Sequence, residues 1–210
     1  IRAGHSSTLQ PEWLPDGSLL FADDVRGRWN LWRHIQGASS VVHSADADTG
    51  GPLWVLGARW YAPLANGDVV TIQTNGDDTV SVLHPDGSCL AILPELTAGT
   101  NIEAAAGSKV LVSGAGAHIT PGLWVVDINE PGNAVPIRGG ETDAALPRPR
   151  VVAYDGPHGP VHAVDYAPAA APGAVRSQAP QGELPPYSGF VHGGPTAHVA
   201  AAASAKIAFW

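Results

Sequence analysis

The chain has 210 residues, a formal net charge of −8 from 11 Lys and Arg against 19 Asp and Glu, and a hydrophobic fraction of 44%. Such an acidic chain lacks the basic footprint that phosphate backbones require, which argues against a nucleic-acid partner. No apolar run approaches the ~20 residues that span a bilayer, which argues against a membrane one.

A compact chain of this length buries ~70% of its extended surface, enough for a real core. Its single cysteine, Cys89, excludes an internal disulfide and fits a reducing, cytoplasmic setting. The chain begins at Ile1 and has no Met, so it is expected to be part of a longer protein; no signal peptide is visible in it. Gly and Pro, 25 and 19 residues, are spread between short apolar runs and indicate many turns and short strands.

From about residue 10 to residue 140 the pattern is β. The predicted strands are Ser18–Asp23, Arg28–His34, Arg59–Pro63, Asp68–Thr74, Thr79–His84, Cys89–Leu93, Lys109–Ser113 and Leu123–Ile128. Turn sequences separate them: Pro15-Asp16-Gly17, Asn66-Gly67, Asn75-Gly76, Pro85-Asp86-Gly87 and Pro131-Gly132-Asn133. Pro-Asp-Gly recurs at 15–17 and 85–87, Asn-Gly-Asp at 66–68 and 75–77, and Trp-bearing strands at Trp13, Trp54 and Trp124. A weak repeat built from four short strands suits propeller blades at 1–45, 46–97 and 98–140, although a sandwich gives the same local pattern. In either arrangement Trp13, Trp54, Trp60 and Trp124 are expected in the core, Trp29 or Trp32 facing a cavity, and Cys89 as a small core residue.

Polar, Pro-containing residues Glu141–Pro149 mark a boundary. Beyond it, Val151–Asp155 and Pro160–Tyr166 flank Gly156-Pro157-His158-Gly159 as a hairpin, and Ala167–Pro186 reads as a long loop. A strand at Tyr187–Val191 then runs into His192-Gly193-Gly194-Pro195-Thr196, and the Ala-rich stretch Ala197–Trp210 reads as a helix.

The order of several phrases resembles the prolyl oligopeptidase (S9) family of serine peptidases, in its acylaminoacyl-peptidase and dipeptidyl-peptidase branch. Pro11-Glu12-Trp13-Leu14-Pro15-Asp16-Gly17, Leu20-Phe21-Ala22-Asp23-Asp24 and Gly27-Arg28-Trp29-Asn30-Leu31-Trp32 are similar to that family's P-x-W-S-P-D-G … F-x-S-D-x-x-G-W-x-N-L-Y stretch. Gly50-Gly51-Pro52-Leu53-Trp54-Val55-Leu56-Gly57 with Tyr61-Ala62, then Pro185-Pro186 and His192-Gly193-Gly194-Pro195-Thr196, continue the likeness in the same order.

The resemblance implies a mainly β fold. A partial propeller of about three blades (residues 1–145) would be followed by the first strands and helix of an α/β-hydrolase domain (146–210). It also implies hydrolysis of short peptides, without a cofactor, by a Ser-Asp-His triad, and places His192, Gly193 and Gly194 in an oxyanion loop. Backbone donors there would face the charge of the tetrahedral intermediate, each contributing ~3–4 kcal/mol to the rate. His192 occupies a position held by Tyr in some relatives and so could donate from its side chain.

The rest of the machinery is missing from these residues. No Gly-x-Ser-x-Gly elbow occurs, so no triad residue can be assigned and the isolated chain is expected to be inactive. Ser113, Ser188 and Ser204 lack elbow contexts. His158 and His162 are separated by Gly159-Pro160, which prevents the helix on which their spacing would bring them together, so no metal site is expected there. Asp46 with Asp48, and Asp77 with Asp78, are expected to be structural turn residues. Open blade edges would favour homo-oligomer formation. Two other readings compete: a non-catalytic propeller acting as a binding or scaffold module, and an esterase with a β-rich cap.

Overall fold

The computed structural model describes residues 5–54, 56–143, 145–168, 182–183, 187–194 and 199–209. Its strands are β1 (Thr8–Trp13), β2 (Leu19–Asp23), β3 (Asn30–Ile35), β4 (Ala38–His43), β5 (Tyr61–Pro63), β6 (Val69–Asn75), β7 (Asp77–Leu83), β8 (Cys89–Ala91), β9 (Ala98–Ala106), β10 (Lys109–Ala115), β11 (Gly122–Asp127) and β12 (Val135–Gly139). They form antiparallel four-stranded sheets in the orders β1-β2-β3-β4, β5-β6-β7-β8 and β9-β10-β11-β12. Each sheet is a sequential meander, the form of a propeller blade. A separate hairpin, β13 (Pro149–Gly156) and β14 (Gly159–Tyr166), follows in full register from Pro149↔Tyr166 to Gly156↔Gly159.

The turns form where Asp or Asn can bond backbone two residues ahead. Asp16 Oδ1 accepts from Ser18 N and Oγ at 3.0 and 2.6 Å, and Asp86 does the same for Ser88 at 2.9 and 2.6 Å. Gly17 and Gly87 sit at φ +78° and +87°, where a side chain would be strained. The two Pro-Asp-Gly turns nevertheless differ in place, since the first joins β1 to β2 and the second joins β7 to β8. The true counterpart of the first is Asn66-Gly67-Asp68, between β5 and β6, where Asn66 Oδ1 accepts from Asp68 N at 3.1 Å.

Burial follows the two-residue period of the strands. Tyr61, Val69 and Leu83 project to one side of the middle sheet and pack with Leu9, Leu20 and Leu31 of the first. Their neighbours Ala62, Val70, Ile72, Val80 and Val82 project to the other and pack with Ile102, Val110, Val112 and Trp124 of the third. The middle sheet is therefore covered on both faces.

Polar stitches fix the sheets to each other. Gln10, in the irregular part of β1, has φ +47°. Its side chain donates to Tyr61 O at 2.6 Å and accepts from Trp60 N at 2.9 Å, while the Tyr61 hydroxyl donates to Gln10 O and, at 3.2 Å, to Leu20 O. Arg59 N donates to Asn101 Oδ1 at 2.8 Å, and Arg59 Nη2 donates to Glu12 at 3.1 Å. Between the middle and third sheets, Asp78 accepts from Thr74 Oγ1, Thr100 N and Thr100 Oγ1 at 2.7, 2.9 and 2.6 Å. The paired aspartates thus act structurally: Asp46 and Asp48 both bind Arg28, at 3.1 and 2.8 Å.

Several expectations are corrected. Trp13 and Trp54 are 74% and 72% exposed and lie outside the core, unlike buried Trp124 and partly buried Trp60. Trp13 closes β1 at its turn and Trp54 lies on the loop before β5, so neither reaches an inter-sheet layer. Trp32 is buried with the Arg26 guanidinium 5.2 Å from its ring centre, and Trp29 packs on the first core cluster. Cys89 is exposed because β8 is an outer strand with no buried position.

Tyr187–Val191 forms no strand; among the described residues no ladder pairs with it, and Tyr187, Phe190 and Val191 are 80%, 58% and 94% exposed. Only α1 (Ala205–Phe209) of the expected terminal helix is helical. Residues 199–204 are irregular because Ala202 O and Ala203 N bond to distant groups rather than along a helix. Pro185, Pro186 and Pro195–His198 lie outside the described residues.

Removing the Tyr61 hydroxyl tests the stitch. Tyr61→Phe leaves two backbone carbonyls without this donor and is expected to cost about 1–3 kcal/mol. The result would be a lower urea midpoint with an unchanged slope; an unchanged midpoint would remove Tyr61 from the interface.

Candidate active-site loop

The expected oxyanion residues His192, Gly193 and Gly194 lie in Tyr187–Gly194, an exposed run after the hairpin. His192 Nδ1 lies 3.5 Å from Gly193 O, a contact at the outer limit for a hydrogen bond. Gly194 has φ +78°, the left-handed region that glycine enters without strain. Among the described residues, no atom lies within 4 Å of where a Cβ would sit on either Gly193 or Gly194.

Just before α1 the chain bonds to the third sheet and to the hairpin. Ala203 N donates to Gly116 O at 2.8 Å, and the Tyr166 hydroxyl at the end of β14 donates to Ala202 O at 2.8 Å. Ala203 is 4% exposed. Burial raises the Tyr166 pKa above the usual phenol value, so the group remains a hydrogen-bond donor well above neutral pH. Ser204 caps α1 by accepting from Ile207 N at 3.2 Å. A shallow apolar cavity of about 290 Å³ lies between this segment and the third sheet, lined by Gly99, Ser113, Pro121, Ala200 and Ala202 among others.

The candidate nucleophiles are placed as ordinary residues. Ser113 Oγ donates to Glu103 at 2.5 Å, Ser204 is a helix cap, and Ser188 is exposed on the irregular run. Sequence reasoning missed two pairs that contain parts of a triad. His34 Nδ1 lies 2.9 Å from Ser39 Oγ across the β3–β4 hairpin, and His84 Nδ1 lies 2.9 Å from Asp68 Oδ1 beside the β5–β6 turn. They use different histidines on different sheets, whereas a triad needs one imidazole between hydroxyl and carboxylate. The facing register positions His34↔Ser39 were the only signal for the first pair, and that register is invisible without β4. His158 lies in the hairpin turn, and His162 on β14 faces Ala153 on β13. Among the described residues no group of three or more His, Cys, Asp or Glu is placed to hold a metal, and no helix is long and apolar enough to cross a membrane.

No family profile and no curated protein matches the chain. Solved structures do. A puromycin hydrolase is 31% identical with a TM-score of 0.83, covering 97% of this chain and 31% of its own. A puromycin-hydrolysing peptidase of Mycobacterium tuberculosis is 31% identical with a TM-score of 0.86, covering 97% of this chain and 32% of its own. Prolyl oligopeptidase B of Galerina marginata matches at 11% identity and a TM-score of 0.58 over 77% of this chain and 23% of its own, a likeness of fold. The present chain thus spans about a third of the length of the puromycin hydrolases it matches.

Consecutive four-stranded blades followed by a hairpin define a propeller-bearing fold. Among proteins of that fold, the chain belongs to the prolyl oligopeptidase (S9) family.

The Ser113–Glu103 pair makes a prediction. Hydrogen bonds from Asn101 and then Ser113 hold the Glu103 carboxyl below the usual glutamate range. Its bonds to these donors therefore stabilise the fold above the unfolded-state pKa, and that contribution is lost as pH falls through the depressed folded value. Ser113→Ala should move the Glu103 pKa up toward the ordinary value in an NMR titration. An unmoved titration would show that the Ser113 hydroxyl is free of Glu103.

Proposed function

We propose that this chain forms propeller blades (residues 1–145) and the opening of the catalytic domain (146–210) of a serine peptidase that hydrolyses short peptides and aminoacyl amides. The observation that carries this reading is the 31% identity to two puromycin-hydrolysing enzymes over 97% of the chain, a span that includes the His192-Gly193-Gly194 region. Puromycin joins an aminoacyl group to a nucleoside through an amide, and cleavage of that bond is acyl transfer to water. A serine hydroxyl supplied by the rest of the protein would attack the carbonyl, with a His as base and an Asp orienting it. His192, Gly193 and Gly194 form the oxyanion loop, where backbone N–H groups stabilise charge that exists only in the transition state.

In this reading substrates are small because a propeller beside the catalytic domain restricts access. The acidic surface and the lack of a basic patch agree with small peptide ligands.

The test uses a fluorophosphonate probe and the full-length protein. That protein should be labelled and should release the amine from an aminoacyl anilide, whereas the isolated 210-residue chain should not react. In the full-length enzyme Gly193→Val and Gly194→Val should each lower kcat on the order of 10²-fold, the scale of losing one oxyanion donor. Labelling of the isolated chain, or unchanged kcat in both variants, would overturn the assignment.

A further inference from the structure

A single peptide unit beyond the oxyanion loop, Ala202–Ala203, is gripped at both its carbonyl and its N–H from different elements. The Tyr166 hydroxyl, on the hairpin, donates to Ala202 O at 2.8 Å, and Gly116 O, just past β10 of the third blade, accepts from Ala203 N at 2.8 Å. Both anchors are themselves held. Gly116 N donates to Ile119 O at 3.0 Å, and a Cβ on Gly116 would lie 2.0 Å from Glu95 O, so glycine is required for this approach of chains. Beside Tyr166, Arg150 bridges to Asp165 at 2.6 Å across the hairpin. Ala203 is buried between them, and Ser204 starts α1 immediately afterwards.

The loop side of this clamp is its opposite. Tyr187–Gly194 is exposed and, among the described residues, has only the His192–Gly193 contact as a side-chain hydrogen bond. A loop whose donors must be aligned to within about 0.5 Å needs support from packed elements, and among the described residues that follow the loop this clamp supplies it.

We infer that Tyr166 is a positioning residue for the oxyanion loop, holding with Gly116 the Ala202–Ala203 peptide that follows the loop in the chain. The inference rests on the oxyanion reading of residues 192–194. Releasing Ala202 lets the loop sample positions in which its N–H groups no longer meet the oxyanion. Since that charge develops only in the transition state, the loss falls on kcat and leaves ground-state binding alone.

The experiment measures steady-state hydrolysis of an aminoacyl anilide by the full-length protein. Tyr166→Phe keeps the ring and removes one donor. It is expected to lower kcat about tenfold with KM within twofold and an unchanged melting temperature, while Tyr154→Phe, a half-exposed tyrosine on the same hairpin, leaves both constants unchanged. A kcat within twofold of the parent overturns the inference, and so does a joint fall in kcat, binding and melting temperature, which would mark a general loosening. A second measurement needs no variant: binding of a boronic-acid transition-state analogue should slow amide exchange at Ala203 together with Gly193 and Gly194, and unchanged exchange at Ala203 overturns the inference. Failure of the oxyanion reading is seen separately, because Gly193→Val and Gly194→Val would then leave kcat intact.

Discussion

The backbone of Arg59–Tyr61 is shared by the three blades, and the arrangement of the molecule depends on it. Arg59 N and O bond to Asn101 and Ile102 of the third blade, Trp60 N and Tyr61 O bond to the Gln10 side chain of the first, and Trp60 O accepts from Ile72 N of its own sheet. Reaching this register places Gln10 at φ +47°, a left-handed conformation that costs a residue of this type about 1 kcal/mol or more. The cost is offset by the hydrogen bonds that Gln10 and Tyr61 exchange, since these would otherwise be buried polar groups without partners. A bulge in β1 is therefore a designed bend that turns one side chain toward the neighbouring blade.

That geometry makes the blades interdependent. The middle sheet has an apolar layer on each face, one facing Leu9, Leu20 and Leu31 and the other facing Ile102, Val110 and Val112. Removing either neighbour would expose a row of Val, Ile and Leu side chains, each worth roughly 1.5–3 kcal/mol of burial. Strands that are individually short thus gain stability only as part of the stack. The Asp78 latch to Thr100 follows the same logic, binding the third blade through a carboxylate already held by Thr74 of the second.

Inner strands were legible, whereas the outer strands β4, β9 and β12 were not, for a physical reason. β2, β6 and β7 bury residues on both faces and carry several apolar residues in a short span. β4 alternates half-buried and exposed residues, β12 has no buried residue, and β9 is Ala-rich with Ala98 and Ile102 as its buried positions, so composition barely marks them. The turn phrases misled in phase, because Asp or Asn followed by Gly suits any tight turn, whichever strands it joins. Trp13 and Trp54 misled in burial: aromatic residues are common in blade cores, but these two sit on a turn and a loop where no second sheet covers them.

At the candidate site the contrast is sharper. His192, Gly193 and Gly194 stand out in sequence because the proposed oxyanion role calls for glycine, and a glycine requirement leaves a short local pattern. What holds such a loop leaves none. A tyrosine at the end of a hairpin and a carbonyl past a blade strand act on Ala202 and Ala203 through single hydrogen bonds at large sequence separation. Alanine is suited to that role because its small side chain lets the backbone lie close against the blade, yet a run of alanines reads as helix when taken alone. The same stretch therefore misreads as helix for the reason it is anchored: its backbone bonds are spent on distant partners, and helix begins only once Ser204 ends those contacts.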